Sequence, residues 1–173
     1  TTCGHQEFIE SEEYITINDQ SNSSFTHIYY NWWNKDRTYG LVICTSDVGT
    51  LLCTYISNYL GTPINVVIPS NVNGTPITAI GGYFGFGSVK TPFANCKTLK
   101  TLTLSKGATL IREYAFKDCT NLKQIISFNS ALSITQYAFQ NCTSLKEFFY
   151  PQDTTYVNLN AFLGCTYLTT IYR

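Results

Sequence analysis

Phe93-Ala-Asn-Cys96, Phe116-Lys-Asp-Cys119, Phe139-Gln-Asn-Cys142 and Phe162-Leu-Gly-Cys165 repeat one Phe-x-x-Cys motif at a constant spacing of 23 residues. Other columns keep the same step. A leucine follows each cysteine by three (Leu99, Leu122, Leu145, Leu168), and an aliphatic or aromatic residue follows by six (Leu102, Ile125, Phe148, Ile171). Ile111, Ile134 and Val157 stand five residues before the next phenylalanine; Ala115, Ala138 and Ala161 stand one before it. Agreement over so many columns marks an internal repeat, whose units cannot bury an apolar side alone and therefore stack.

Stacking in register sets each Phe, Leu and Cys above its counterpart, about 5 Å away at strand spacing. After each leucine the residues alternate inward and outward with a period of two, which reads as a strand. Ile111, Ile134 and Val157 belong to a second short strand on the other side of the coil. Helical periodicity is nowhere sustained, so strands and turns, with at most brief helical turns, should dominate. A period of 20–29 with an L-x-x-L-x-L stretch is the signature of leucine-rich repeats. The predicted fold is a mainly β solenoid, a right-handed superhelix of 23-residue coils over residues 61–173 behind an N-terminal β-rich cap over residues 1–60.

The units resemble the BspA-like, or Treponema pallidum-type, leucine-rich repeats, which read roughly C-x-x-L-x-x-I-x-I-P-x-x-V-x-x-I-x-x-x-A-F-x-x-C. Leu145-Lys-Glu-Phe-Phe-Tyr-Pro151 and Tyr156-Val-Asn-Leu-Asn-Ala-Phe-Leu-Gly-Cys165 follow that line, and Val67-Ile-Pro69 through Ile80 is similar to the opening repeat of such arrays. The likeness covers about residues 60–173. It implies secreted and cell-surface proteins of bacteria and some parasitic protists, associated with adhesion and binding to host proteins. It brings no catalytic residues with it.

The first repeat departs from the pattern. Ile80 precedes Phe93 by thirteen residues instead of five, the excess lying in the glycine-rich Gly81–Lys90 with Tyr83, Phe84 and Phe86. These aromatics either fold back on the solenoid or form a projecting binding loop. In residues 1–60, Tyr39–Cys44 and Leu51–Ile56 flank Ser46-Asp-Val-Gly49 and read as a hairpin. Glu13–Ile17 reads as an earlier strand, Tyr29–Trp33 as an aromatic cluster and Asn34–Arg37 as a turn. A solenoid needs its open end covered. The tryptophans are therefore expected in the core of a cap, the other reading being a ligand box.

Composition narrows the function. Eleven basic and eleven acidic side chains, a pI near 6.6 and only 13% charged residues give no electrostatic grip on nucleic acid. No apolar run approaches the roughly 18–20 residues of a transmembrane helix. The start Thr-Thr-Cys-Gly reads as that of a processed or trimmed secreted protein, and the sequons at Asn22, Asn73 and Asn141 fit that reading. Only His5 and His27 could partner a catalytic cysteine, and neither sits in a known motif. No enzyme is expected, and no cofactor. Glu10, Glu12 and Glu13 read as a solvated run or, less well, a cation site. Four ladder thiolates on one line cannot converge on a tetrahedral metal. Nor does strand spacing suit a disulfide, whose β-carbons lie about 3.8 Å apart. Cys96, Cys119, Cys142 and Cys165 are therefore expected as buried free thiols. A four-residue loop would set Cys44 opposite Cys53, where a disulfide is left open.

One surface remains. The outward columns of the first strands are Thr101, Gln124, Glu147, Thr170 and then Thr103, Ile126, Phe149, Tyr172, with Lys100, Lys123 and Lys146 as a basic row at the strand entrance. Solvent-facing strand positions should be polar, yet Ile126, Phe149 and Tyr172 are not. A slipped inward pattern around Ser127 would explain Ile126 but not Phe149 or Tyr172. Apolar contacts rimmed by charge make a protein-binding surface. The expected site comprises Ile126, Phe149, Tyr150 and Tyr172 with Gln124 and Glu147, and with Tyr83, Phe84 and Phe86 of the insertion leaning over one edge. The expected partner is an extracellular protein, from a host or a cell surface. The alternatives are a structural spacer and a carbohydrate-binding module.

Overall fold

Alternation of β-branched and aromatic residues with polar ones builds two sheets that face each other across the column of phenylalanines. The computed structural model describes residues 27–48, 51–72, 74–84, 88–107, 110–128, 132–149 and 156–172. Its front sheet holds five parallel strands, Asn65–Ile68, Thr101–Leu104, Gln124–Ser127, Glu147–Phe149 and Thr170–Tyr172, stacked in that order. Thr101 pairs with Gln124, Gln124 with Glu147 and Glu147 with Thr170, so one repeat makes one rung. The back sheet opens with three antiparallel strands, His27–Trp33, Tyr39–Val48 and Leu51–Gly61. It continues in parallel through Ala79–Ile80, Leu110–Ile111, Ser133–Ile134 and Tyr156–Val157.

Between the sheets the inward columns close. Val66, Leu102, Ile125 and Phe148 from the front meet Ile56, Ile80, Ile111 and Ile134 from the back, all fully buried. Phe93, Phe116, Phe139 and Phe162 stack ring on ring at 4.9, 4.9 and 5.2 Å, nearly parallel. Tyr59, from the last strand of the N-terminal hairpin, closes the head of this stack at 5.6 Å from Phe93.

The Ala-Phe-x-x-Cys segments are chains of tight turns, and their form explains a column that the periodicity left unread. Asn95, Asp118 and Asn141, each one residue before a ladder cysteine, sit at φ 63°, 60° and 60°, with Gly164 at 82° in the same place. Asn, Asp and Gly are the residues that tolerate this left-handed region. The twist aims their amides at the next coil: Asn95 N–H bonds Lys117 O at 2.7 Å, Asp118 bonds Gln140 and Asn141 bonds Leu163, both at 2.8 Å. Phe93, Phe116 and Phe139 donate likewise to the alanine carbonyl ahead, at 2.8 Å each.

The ladder cysteines are free thiols; Cys96, Cys119 and Cys142 are buried as expected, whereas Cys165 is half-buried. They do more than fill space. Cys119, Cys142 and Cys165 donate back to the carbonyls of Phe93, Phe116 and Phe139 at 3.0, 3.2 and 3.0 Å. Each turn thus bonds forward through its backbone and backward through its thiol. Hydrogen bonding with the Cys119 and Cys165 thiols, and then burial, push the Cys142 thiol well above its ordinary range. Cys96, Cys119 and Cys142 are all buried, so alkylation by iodoacetamide at neutral pH should spare them until the fold is denatured, as mass spectrometry of quenched samples would show. Labelling of Cys119 or Cys142 in the native protein would contradict this packing.

Two expectations at the N-terminal side need correction. The hairpin exists, but its strands run to Val48 and from Leu51, leaving two residues between them. A shorter connection resets the register. Cys44 faces Tyr55 and Cys53 faces Ser46, so the two cysteines are not opposed, and Cys44 is a buried free thiol. Of the tryptophans, Trp32 is buried, packed at 6.2 Å from Tyr39, whereas Trp33 is half-exposed beneath the Arg37 guanidinium. Asn34 closes the turn as expected, its side chain accepting the Tyr39 amide at 3.0 Å. Cys3, His5, Glu10, Glu12, Glu13 and the strand read at Glu13–Ile17 lie outside the described residues.

Candidate functional surface

The outward side of the front sheet consists of two in-register rows. Asn65, Thr101, Gln124, Glu147 and Thr170 form the first. It is polar and internally bonded: Thr101 donates to Asn65 at 2.8 Å, and the Gln124 amide donates to the Glu147 carboxylate at 3.0 Å. Val67, Thr103, Ile126, Phe149 and Tyr172 form the second. The register runs through Ile126 without a slip, since Ser127 pairs with Leu104 and is itself buried. Ile126 is therefore an outward residue in its own right, and Val67 adds a fourth apolar member that the sequence reading had not counted. Lys100, Lys123 and Lys146 are exposed one residue ahead of the polar row.

Of the residues expected at the site, the structure brings Gln124, Ile126, Glu147 and Phe149 together, with the backbone of Tyr172 in the same row. Tyr150 and Phe86 lie outside the described residues, as do the side chains of Tyr83, Phe84 and Tyr172. The insertion does not border this sheet. Gly82–Phe84 and Ser88–Lys90 form a small antiparallel hairpin. Gly81 N–H anchors it to Ile56 O at 2.8 Å, and a β-carbon on Gly82 would lie 2.5 Å from the Tyr55 ring. Tyr55 belongs, with Cys44 and Ala79, to a small cluster apart from the main core, against which Tyr29 and Leu110 pack. The hairpin therefore seats on the outer side of the back sheet, across the coil from Phe149. Sequence could count the extra residues but not say which side they take.

Sequence reading also missed Tyr39. Its buried hydroxyl accepts from Val67 N–H at 3.0 Å and donates to Val67 O at 3.3 Å. A side chain thus occupies the edge of the front sheet where a neighbouring strand would otherwise bond, which blunts that edge against unwanted pairing. Burial raises the Tyr39 phenol above its ordinary range, so it stays a neutral donor. Asn141, one of the sequons, is engaged between coils, its side-chain amide donating to the Asp118 carboxylate of the preceding coil at 2.9 Å. Among the described residues no helix is long and apolar enough to cross a membrane.

Residues 89–173 match a family model described as BspA type leucine rich repeat region, in six copies. Among solved structures, a leucine-rich repeat protein from Bacteroides capillosus is 19% identical, covering 75% of this chain and 92% of its own, with a TM-score of 0.59. The T. pallidum leucine rich repeat protein is 22% identical over 83% of this chain and 67% of its own, with a TM-score of 0.46. A leucine rich cell surface protein from Faecalibacterium prausnitzii is 17% identical over 94% of this chain and 55% of its own, at 0.39. The Bacteroides likeness carries the fold. No curated protein matches the chain.

Proposed function

Through residues 89–173 the chain belongs to the BspA-type leucine-rich repeats, and on that premise we propose that it is a non-catalytic recognition module, secreted or displayed at a cell surface. It binds an extracellular protein on the front sheet. Its coils form a right-handed superhelix with a 23-residue step, residues 1–60 serve as the cap and residues 61–173 as the repeats. The observation that carries the reading is the outward row of Val67, Ile126 and Phe149, partly exposed and aligned in register on the first, third and fourth front-sheet rungs, with Thr103 on the second. Five strands at about 4.8 Å make a face roughly 20–25 Å wide, comparable with one side of a standard interface, about 800 Å². An apolar centre with polar and basic rims is the make-up of such interfaces.

The test is binding to a panel of purified extracellular proteins, comparing the parent with Phe149→Asp and Tyr172→Asp. Both substitutions should weaken capture at least about tenfold, since a charge at the dry centre of an interface is left unpaired. The melting temperature should scarcely move, because Phe148, not Phe149, is the buried member of its strand. A structural spacer would tolerate both charges and show no partner that depends on Phe149.

A further inference from the structure

Lys100, Lys123 and Lys146 are set in register by the backbone: Lys123 N–H bonds Lys100 O at 2.8 Å, and Lys146 N–H bonds Lys123 O at 3.0 Å. Three like charges therefore repeat at strand spacing, about 4.8 Å, on an exposed line. Among the described residues none pairs with their ammonium groups. Directly stacked like charges are unfavourable, and a partner bringing negative charge at the same spacing would relieve them. The lysines stand just before the strands, outside their inward and outward alternation, and three residues further along the chain, about 10 Å away, runs the apolar row of Ile126 and Phe149. The polar row between them has one carboxylate, Glu147, already held by Gln124.

We propose that the front sheet receives an acidic amphipathic helix lying across its strands, with carboxylates over Lys100, Lys123 and Lys146 and its apolar side over Ile126 and Phe149. The inference rests on the reading of this sheet as the binding face and names the occupant. Spacing selects the helix. Side chains one helical turn apart recur at about 5.4 Å, against about 4.8 Å for the lysines. Over the two steps from Lys100 to Lys146 the mismatch is about 1 Å, which flexible lysines absorb. In an extended segment, same-side residues recur at about 6.7 Å, so the mismatch over two steps is roughly 4 Å. Width agrees as well: a helix with its side chains is about 10–12 Å across, the distance between the basic and apolar rows. A sulfated glycan would satisfy the lysines but leave Ile126 and Phe149 wet.

Two synthetic peptides of about 18 residues, five helical turns, provide the test. They share one composition. In the first, Glu recurs at i, i+4 and i+7 beside a stripe of Leu; in the second, the same residues are permuted so that Glu falls on every side. Titration calorimetry with the whole chain should show the first binding at least about tenfold more tightly, and weakening as salt rises. The combined Lys100→Glu, Lys123→Glu, Lys146→Glu variant should lose at least about tenfold in affinity, as should Phe149→Asp. The triple Gln variant, milder to the fold, should lose part of it. Equal binding of both peptides, or binding indifferent to salt and to the three lysines, would overturn the proposal. So would heparin displacing the peptide and binding Phe149→Asp as well as the parent. If neither peptide binds while capture from the protein panel still depends on Phe149, the helical occupant is wrong and the binding face stands. If panel capture ignores Phe149 too, both fall.

Discussion

Phe116→Ala should lower the stability of the fold by about 3–5 kcal/mol and loosen the coils on either side. The ring is fully buried and lies between Phe93 and Phe139, 4.9 Å from each and within 7° of parallel. Truncation removes its transfer free energy and two stacking contacts, each worth about 0.5–1.5 kcal/mol. The space left cannot easily close, because the flanking rings are held by their own backbone bonds, Phe93 N–H to Ala115 O and Phe139 N–H to Ala161 O. Small domains have only about 5–15 kcal/mol to lose. Urea unfolding would read the loss, and amide exchange at Phe93 and Phe139 would read its spread. A Phe116→Ala protein that unfolds with the parent would mean the rings do not carry the stack.

Gly61→Val should cost about 2–4 kcal/mol, through backbone geometry instead of core volume. Gly61 ends the N-terminal hairpin at φ 70°, where the chain leaves the back sheet for the front. Its neighbour Thr62 donates to Thr38 O at 2.9 Å, and a β-carbon on Gly61 would sit 2.6 Å from that same oxygen and 3.2 Å from the Trp33 ring. Gly74 is the control: φ is 75°, but a β-carbon there meets nothing within 4 Å. Gly74→Val should therefore show only the left-handed backbone cost, about 1–2 kcal/mol. Denaturant curves of the two variants, with tryptophan fluorescence for Gly61→Val, separate the contributions. Equal losses at the two sites would show that the Thr38 contact is unimportant.

The repeat region was legible because its information is local and redundant. Phe116, Cys119, Leu122 and Ile125 each occupy a column that three other coils also fill, so a periodic reading places them inward without knowing the chain's path. The same arithmetic put Thr103, Ile126, Phe149 and Tyr172 in one row. Where a feature occurs once, that redundancy is missing. The Cys44–Tyr55 register hangs on the length of a single turn. The Tyr39–Val67 bonds join residues 28 apart and fall outside the repeating columns. The seat of the Gly81–Lys90 hairpin depends on the absent side chain of Gly82 leaving room for Tyr55. Tyr114 and Tyr137 adopt φ near 60° and stack on each other at 5.4 Å, although tyrosine carries no signal for that backbone. The Asn95, Asp118, Asn141 and Gly164 column could have been read, since those residue types at one position announce a left-handed turn.

The two-way bonding of the turns also has a mechanical side. Each coil is held chiefly by its two neighbours, through forward amides, backward thiols and one ring on each side. Tension applied between the ends would load these bonds coil by coil, and coils would peel away singly from the outermost. Every release would pay out 23 residues, about 80 Å of slack at full extension. A chain built this way would behave as a ratcheted extension spring, yielding under shear by fixed increments while the coils still stacked keep their face intact.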